Sequence, residues 1–476
     1  MPDAKNCGFL RVVLAASLAV VLGNGPVLSQ SPLPGGWEQA IAEINEKSVT
    51  ATISFLASDE LAGRGTPSNG YQVASAYIAA RLRGAGLQGG MPDGSFYQVH
   101  KLQTVRTPQD GIVFFDLNGG LSEPLGLLAA GNERLEFSGE IPLVDLQSDL
   151  EGVALAGPVM AREVPTDAAP PRAVSQLARQ VTIARSAGAT ALVLYVNESS
   201  PLVTAMKQNR GRARPDQARD RFGIPVLLVQ GEPPVNLTAR LVLPGKIVEE
   251  ATVRNVIGVL PGSDPELSRE AVIFSAHLDH LGENPNESDD WIYNGADDNA
   301  SGSTAVATLA DAFAALTDRP ARTLIFICFW GEESGLLGSR QFVNEPTWPL
   351  ENIVANINIE MIGRPEAGAR EKIWVTGWSA SDLGALMRQA AEPHGFEIFE
   401  HPSYSAQLYR ASDNWPFAQR GVVAHSFSAG SLHSDYHQPS DEWEKLDLPH
   451  MTRVIQALFW GSLPLATGEV TPRKTQ

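Results

Sequence analysis

The sequence predicts an α/β fold, with a mostly parallel central sheet flanked by helices and a β-rich unit inserted into it. Three observations carry this expectation. From residue 252 onward, apolar runs bounded by turn residues alternate with stretches of helical period. Those runs are apolar without alternation, as strands covered on both faces are. Before them, residues 111–245 change character to short β-rich runs around one helical stretch. With 476 residues, 43% hydrophobic and 19% charged, the chain has ample material for a large core and does not have the composition of a disordered one. Lys and Arg number 36 against 54 Asp and Glu, a net charge of −18, and no basic run could follow a phosphate backbone. A nucleic-acid partner is therefore not expected. Two cysteines, Cys7 and Cys328, make no disulfide framework.

Residues 1–29 read as a signal peptide. Lys5 and Arg11 give a positive start, 12–23 an apolar core, and Val27-Leu28-Ser29 a small-residue cleavage site. The apolar stretch is about 12 residues, short of the roughly 20 that span a bilayer. The expectation is an exported protein, periplasmic or extracellular, with no stable membrane insertion after cleavage. Residues 30–110 form the N-terminal part of the main domain. They comprise a weak helix at 37–48, a glycine-rich loop within SDELAGRG, and an amphipathic helix with Val73, Tyr77, Ile78 and Leu82 on its apolar face, closed by Gly86. The insert follows at 111–245. The main domain resumes over 252–465 with strands AVIFSAHLD (271–279), RTLIFICFWG (322–331), IVANINIEMIG (353–363), KIWVTG (372–377) and GVVAHSFSAG (421–430), and residues 466–476 form a C-terminal tail.

In such sheets ligands bind outside the carboxyl ends of the strands, and here those ends carry charge. His277-Leu278-Asp279-His280 follows the first strong strand and Asp297-Asp298-Asn299 precedes a helix. Glu332-Glu333 ends the next strand, Glu360 the third, and His437-Gln438-Pro439-Ser440-Asp441 follows the last. Taken singly each has an ordinary reading: a satisfied polar histidine, an Asx helix cap, a solvated helix start. Together, charges at successive buried strand ends need pairing or a metal. Imidazole nitrogen with carboxylate oxygen suits zinc, and the number of donors suits two ions.

The ordered motifs AHLDHLG, NGADDNASG, FWGEESGLLGS, NIEMIG and DYHQPSDEW resemble those of the co-catalytic zinc aminopeptidases related to bacterial leucyl aminopeptidases, aminopeptidase Y, carboxypeptidase Q and glutamate carboxypeptidase II. The likeness is close over 252–462 and extends to 36–110, while 111–245 resembles the protease-associated domain that many members carry. The resemblance implies two Zn²⁺ per chain, held by His277, Asp298 as the bridge, Glu333, Glu360 and His437. It also implies Glu332 as general base toward a water shared by the ions, and Tyr436 as hydrogen-bond donor to the tetrahedral oxyanion. Glu360 departs from the family, where aspartate is usual. Asp279 and Asp441 are candidates to orient His277 and His437 from behind. The expected activity is removal of N-terminal residues from peptide substrates. The alternatives are a carboxypeptidase or dipeptidase with the same centre, for which Arg364 and Arg410 could clamp a carboxylate, and a binding module without catalysis.

Overall fold

The computed structural model describes residues 33–475 apart from 118, 120–123, 149, 151, 210–212, 216–221 and 285–288. The expected signal segment and Cys7 lie outside the described residues.

The main sheet has ten strands. Its centre is parallel: Ala271–His277 lies between Thr323–Phe329 and Ile353–Glu360, and Ala424–Ser428 pairs in parallel with Ile353–Glu360. These strands are joined by helical crossovers, the connection that parallel pairing requires. Toward the edges the sheet turns antiparallel. Lys372–Val375 runs against Ala424–Ser428, and Ile247–Leu260 runs against both Thr323–Phe329 and Tyr97–Arg106. The sheet is thus mixed, with the parallel order confined to its middle and to the Lys372–Val375 and Glu397–Phe399 pair. Unbroken apolarity reports burial on both faces, which an interior antiparallel strand also has, so it could not separate the two cases.

Helices cover the sheet because each has an apolar face to bury. Ser301–Ala315 is buried over most of its surface, and Phe313 on it meets Phe274, Phe326 and, at 4.8 Å between centroids, Phe459 of the C-terminal helix Leu448–Ala466. The weak helix expected at 37–48 is two helices, Trp37–Glu43 and Glu46–Leu56. They are separated at Asn45, whose side chain caps the second by accepting from the Ser48 amide. Ser68 caps Asn69–Gly84 in the same way. The buried face of that helix is Tyr71, Ala74, Ile78 and Leu82; Val73 is 41% exposed and Tyr77 only partly covered. The face is therefore turned by about one residue from the expected one, and Tyr71, which it carries inward, donates its hydroxyl to Arg254 O at 2.6 Å.

Tyr97–Arg106 and Ile247–Leu260 form a long antiparallel ribbon that leads out of the main sheet and back. Between them the chain builds two more sheets. One has four strands in the order Pro124–Ala129, Val226–Gln230, Ala189–Val196, Gly157–Arg162, and the other three, Val113–Asp116, Leu237–Leu243, Leu135–Ile141. The helix Pro170–Ser186 packs on the first, and this region has apolar cores separate from that of the main sheet.

The helix-face assignment has a direct consequence for stability. Ile78→Ala, in the core, should destabilise by about 2–5 kcal/mol, while Val73→Ala, on the opposite face, should cost under about 0.5 kcal/mol. Denaturant unfolding of the two variants checks it; equal losses would place the wrong face inward.

Candidate metal centre

Strand register brings the charged strand ends together. His277 lies opposite Phe329, three residues before Glu332, and Ser275 lies opposite Asn358, two before Glu360. Three neighbouring strands therefore deliver His277, Glu332-Glu333 and Glu360 to one end of the sheet. Asp298 arrives from the turn before Ser301–Ala315, and His437 from the loop after Ala424–Ser428, in a left-handed backbone conformation at φ 57°.

Their donor atoms sort into two groups that share Asp298: His277, Asp298 and Glu360 in one, His280, Asp298, Glu333 and His437 in the other. The two carboxylate oxygens of Asp298 divide between them. Oδ1 lies 3.2 Å from His277 Nε2, which is 3.4 Å from Glu360 Oε2. Oδ2 lies 3.0 Å from His437 Nε2 and 3.8 Å from His280 Nδ1. Glu333 completes the second group, with Oε1 2.8 Å from His280 Nδ1 and Oε2 3.4 Å from His437 Nε2.

Burial and neighbouring charge set the ionisation of these groups. Burial would raise Asp298, but contact with His277 and His437 holds it well below the usual carboxylate range. Burial and the Asp298 charge push Glu333 up, and the His280 and His437 rings outweigh them, bringing it to about 2. His437, which burial alone would depress, is lifted to about 10 by Asp298 and Glu333. Glu332 moves the other way. Burial raises its carboxyl well above the ordinary value, and the charges of Glu333, Asp413 and Glu360 add to that against the opposing pull of His277.

A divalent cation fits this arrangement on the evidence of orphaned atoms. His280 Nδ1 and Nε2, Glu333 Oε1 and His437 Nε2 are buried and have no hydrogen-bond partner. Buried polar atoms are rarely left so, and one donor atom from each of these three residues lies close to an oxygen of Asp298, as a cation's ligands would.

The surroundings hold the donors from behind. His277 Nδ1 meets the Asp279 carbonyl at 3.0 Å, which leaves Nε2 to face the carboxylates. The expected role of the Asp279 side chain is thus filled by its backbone, while its carboxylate accepts from the Glu332 amide at 3.1 Å and fixes the turn that presents Glu332 and Glu333. Asp441 likewise serves elsewhere than expected: it accepts from the amides of Asp297 and Asp298 and so fixes the bridge residue rather than His437. Asn299 Oδ1 accepts from the Gly302 amide in the manner of a helix cap, and its Nδ2 donates to Glu360 Oε2 at 2.7 Å. Glu360 Oε1 accepts from Asn358 Nδ2 and Ser412 Oγ, so the longer side chain is braced at both oxygens. Tyr436 stacks on His437 with ring centroids 3.9 Å apart. Of the two arginines expected as carboxylate clamps, Arg364 pairs with Asp435 at 3.0 Å and Arg410 lies over the Trp415 ring.

Two residues at the centre had no role in the sequence reading. His280 was visible as the second histidine of AHLDHLG, three positions after His277, but spacing alone does not show that both rings turn inward. Arg64, in SDELAGRG, is fully buried. Its guanidinium donates to the carbonyls of Leu56, Leu278, Asn294 and Gly295, tying the N-terminal segment to both loops that carry donors. Burial lowers it to about 10, and Asp279, Asp441, Asp298 and Glu333 oppose that loss, so it is cationic at neutral pH.

The chain is similar to known proteins in sequence and in fold. A sequence profile described as Peptidase family M28 matches residues 255–459. Aminopeptidase YwaD of Bacillus subtilis is 28% identical over 273 residues, 55% of this chain and 54% of that protein. The chain spans about half the length of the first curated relatives it matches. Among solved structures, an aminopeptidase from Aneurinibacillus sp. strain AM-1 superposes with TM-score 0.57 at 17% identity, over 92% of this chain and 97% of that one. BSAP, a zinc aminopeptidase from Bacillus subtilis, gives 0.59 at 19%, over 90% and 96%. These structures share the fold.

The Arg64 fork can be tested directly. Arg64→Lys keeps the charge but cannot reach four carbonyls from three segments, and each buried carbonyl left unpaired costs about 1–3 kcal/mol. The variant should melt several degrees below the parent and bind divalent cations more weakly. An unchanged melting temperature would show that Arg64 is not the tie.

Proposed function

Residues 255–459 are a peptidase family M28 domain, and on that premise we propose that the chain is an exported two-zinc metallo-exopeptidase, an aminopeptidase acting on peptides. The observation that carries the reading is Asp298, whose two oxygens face two separate donor groups. A single ion has no use for that division. The profile match and the curated relative named as an aminopeptidase support the reaction class.

Bound zinc at such a centre polarises the scissile carbonyl and brings a water's pKa toward neutrality. The chain's own residues do the rest. His277, Asp298 and Glu360 hold one position, and Asp298, Glu333 and His437 the other. Glu332 stands beside them with its backbone fixed by Asp279. A carboxyl raised by its surroundings is well matched to accept the water's proton and to pass it to the leaving amine. Tyr436 keeps its phenol protonated, since burial and the Asp298, Glu333 and Glu332 charges all oppose its ionisation. It can therefore donate a hydrogen bond to an oxyanion.

The surplus of carboxylates suits a cationic amino terminus. The carboxypeptidase alternative needs a free cation for the substrate carboxylate, and of its two candidates Arg364 is already paired with Asp435. Among the described residues, the region between the two ribbon strands contributes none to either donor group, and we assign it, as a protease-associated-like insert, to covering the cleft and selecting substrate length. No helix among the described residues is long and apolar enough to cross a membrane.

Three measurements test the proposal. Purified protein saturated with zinc should hold close to two equivalents; a value that stays at one would sink the two-ion centre. It should cleave chromogenic aminoacyl substrates but not their N-blocked forms, and lose activity on chelation. The reverse selectivity would select the carboxypeptidase. Glu332→Gln should lower turnover by about 10²–10⁴ with both metals retained, whereas Glu333→Gln should lose metal first. Metal analysis beside steady-state kinetics decides between them, and the opposite pattern would exchange the two roles.

A further inference from the structure

On the two-ion reading above, we propose that His280 is a fourth protein ligand of one ion, so that the Glu333 and His437 position is closed by protein donors while the His277 and Glu360 position stays open for substrate. The argument begins with the state of the ring. His280 is 2% exposed and neither of its nitrogens has a hydrogen-bond partner. A buried imidazole with both nitrogens unmet is costly, and some compensating interaction must hold it.

The geometry shows where that interaction lies. His280 Nδ1 and Glu333 Oε1 approach to 2.8 Å, yet neither makes a hydrogen bond. Zinc holds nitrogen and oxygen donors at about 2.0–2.2 Å, and a tetrahedron of that size sets its donors about 3.4 Å apart. His280 Nδ1 lies 2.8 Å from Glu333 Oε1 and 3.8 Å from Asp298 Oδ2, and that oxygen lies 3.0 Å from His437 Nε2, separations that bracket that value.

The ring is also held in place. Gly295 has φ 55°, and a Cβ there would fall 2.4 Å from His280 Cγ, so the Gly295 backbone lies directly against the imidazole. Arg64 grips the Gly295 carbonyl and the Leu278 carbonyl, and its own carbonyl accepts from the His280 amide. Among the described residues no such addition exists on the other side. The first group has three donors, and Glu360 presents only Oε2 to it because Asn358 and Ser412 occupy Oε1. Four protein donors make a closed, structural position and three leave a place for a reactant.

The test uses the full-length chain. Stripped of metal, the parent is titrated with Zn²⁺ in competition with a chromogenic chelator, beside His280→Ala and Glu360→Gln. His280→Ala should weaken one of the two binding events by more than about 100-fold, beyond the 10–100-fold typical of residues that only support a ligand, and Glu360→Gln should weaken the other. Both events in His280→Ala within threefold of the parent would overturn the assignment. Should that variant fail to fold, X-ray absorption on the zinc-loaded parent decides. Three imidazoles per two ions are expected, and two would overturn it. A parent that binds fewer than two ions fails the two-ion reading itself, and the inference with it.

Discussion

At the carboxyl end of the main sheet, carboxylates are crowded together and withdrawn from water: Asp279, Asp297, Asp298, Asp413 and Asp441 are buried, with Glu333 and Glu360 beside them. Like charges in a poorly solvated region repel strongly, and each is costly to bury unpaired. The rest of the structure is organised around meeting that cost. Where imidazoles touch them, as at Asp298 and Glu333, the carboxylates are held ionised. Where burial dominates, at Asp279, Asp441 and Asp413, it lifts them to about 6, 6 and 7. The division separates groups suited to binding cations from groups that accept hydrogen bonds around them: backbone amides at Asp279 and Asp441, the Ser339 hydroxyl at Asp413.

The supporting groups explain how loops can hold a centre of this kind. Asp441 takes two successive amides of the turn that carries Asp298, Asp279 takes the amide of Glu332, and Asp297 takes that of Gly363. Each is a charged acceptor on a backbone donor, stronger than a neutral pair. Arg64 supplies the complementary connection through carbonyls. Donors that belong to loops are thereby fixed as firmly as if they belonged to the strands, and rigidity of that order is what placing a reacting atom requires. The Glu360 side chain shows the same economy: its extra methylene is taken up by Asn299, Asn358 and Ser412 rather than by freedom of the carboxylate.

Much of this was legible in the chain. The apolar runs located the central strands because burial on both faces leaves a pattern independent of partners. The charged residues at their ends stood out because charge beside a buried strand is exceptional. The segments that contain His277, Asp298, Glu333, Glu360 and His437 stood out on that ground, the family resemblance implied that these five bind metal, and the structure brings their donor atoms together. The helix at 69–84 was legible in position, while its rotation depends on packing against segments remote in sequence, among them Arg254, whose carbonyl accepts the Tyr71 hydroxyl.

By itself, then, the sequence determined the α/β class, the interrupted layout of the main domain, and the residue types at the strand ends, since these follow from periodicity and from where charge interrupts apolarity. Tertiary structure decided direction and partnership. It set which sheet pairs are antiparallel, because pairing sense depends on how distant segments return. It also set which of Asp279, Asp297, Asp298 and Asp441 serve as donors and which as supports. That choice depends on which way each carboxylate points, and a spacing along the chain carries no such vector. His280 and Arg64 entered the centre for the same reason: contacts such as His280 with Glu333 and Arg64 with Gly295 join segments distant in sequence and exist only once the segments are packed.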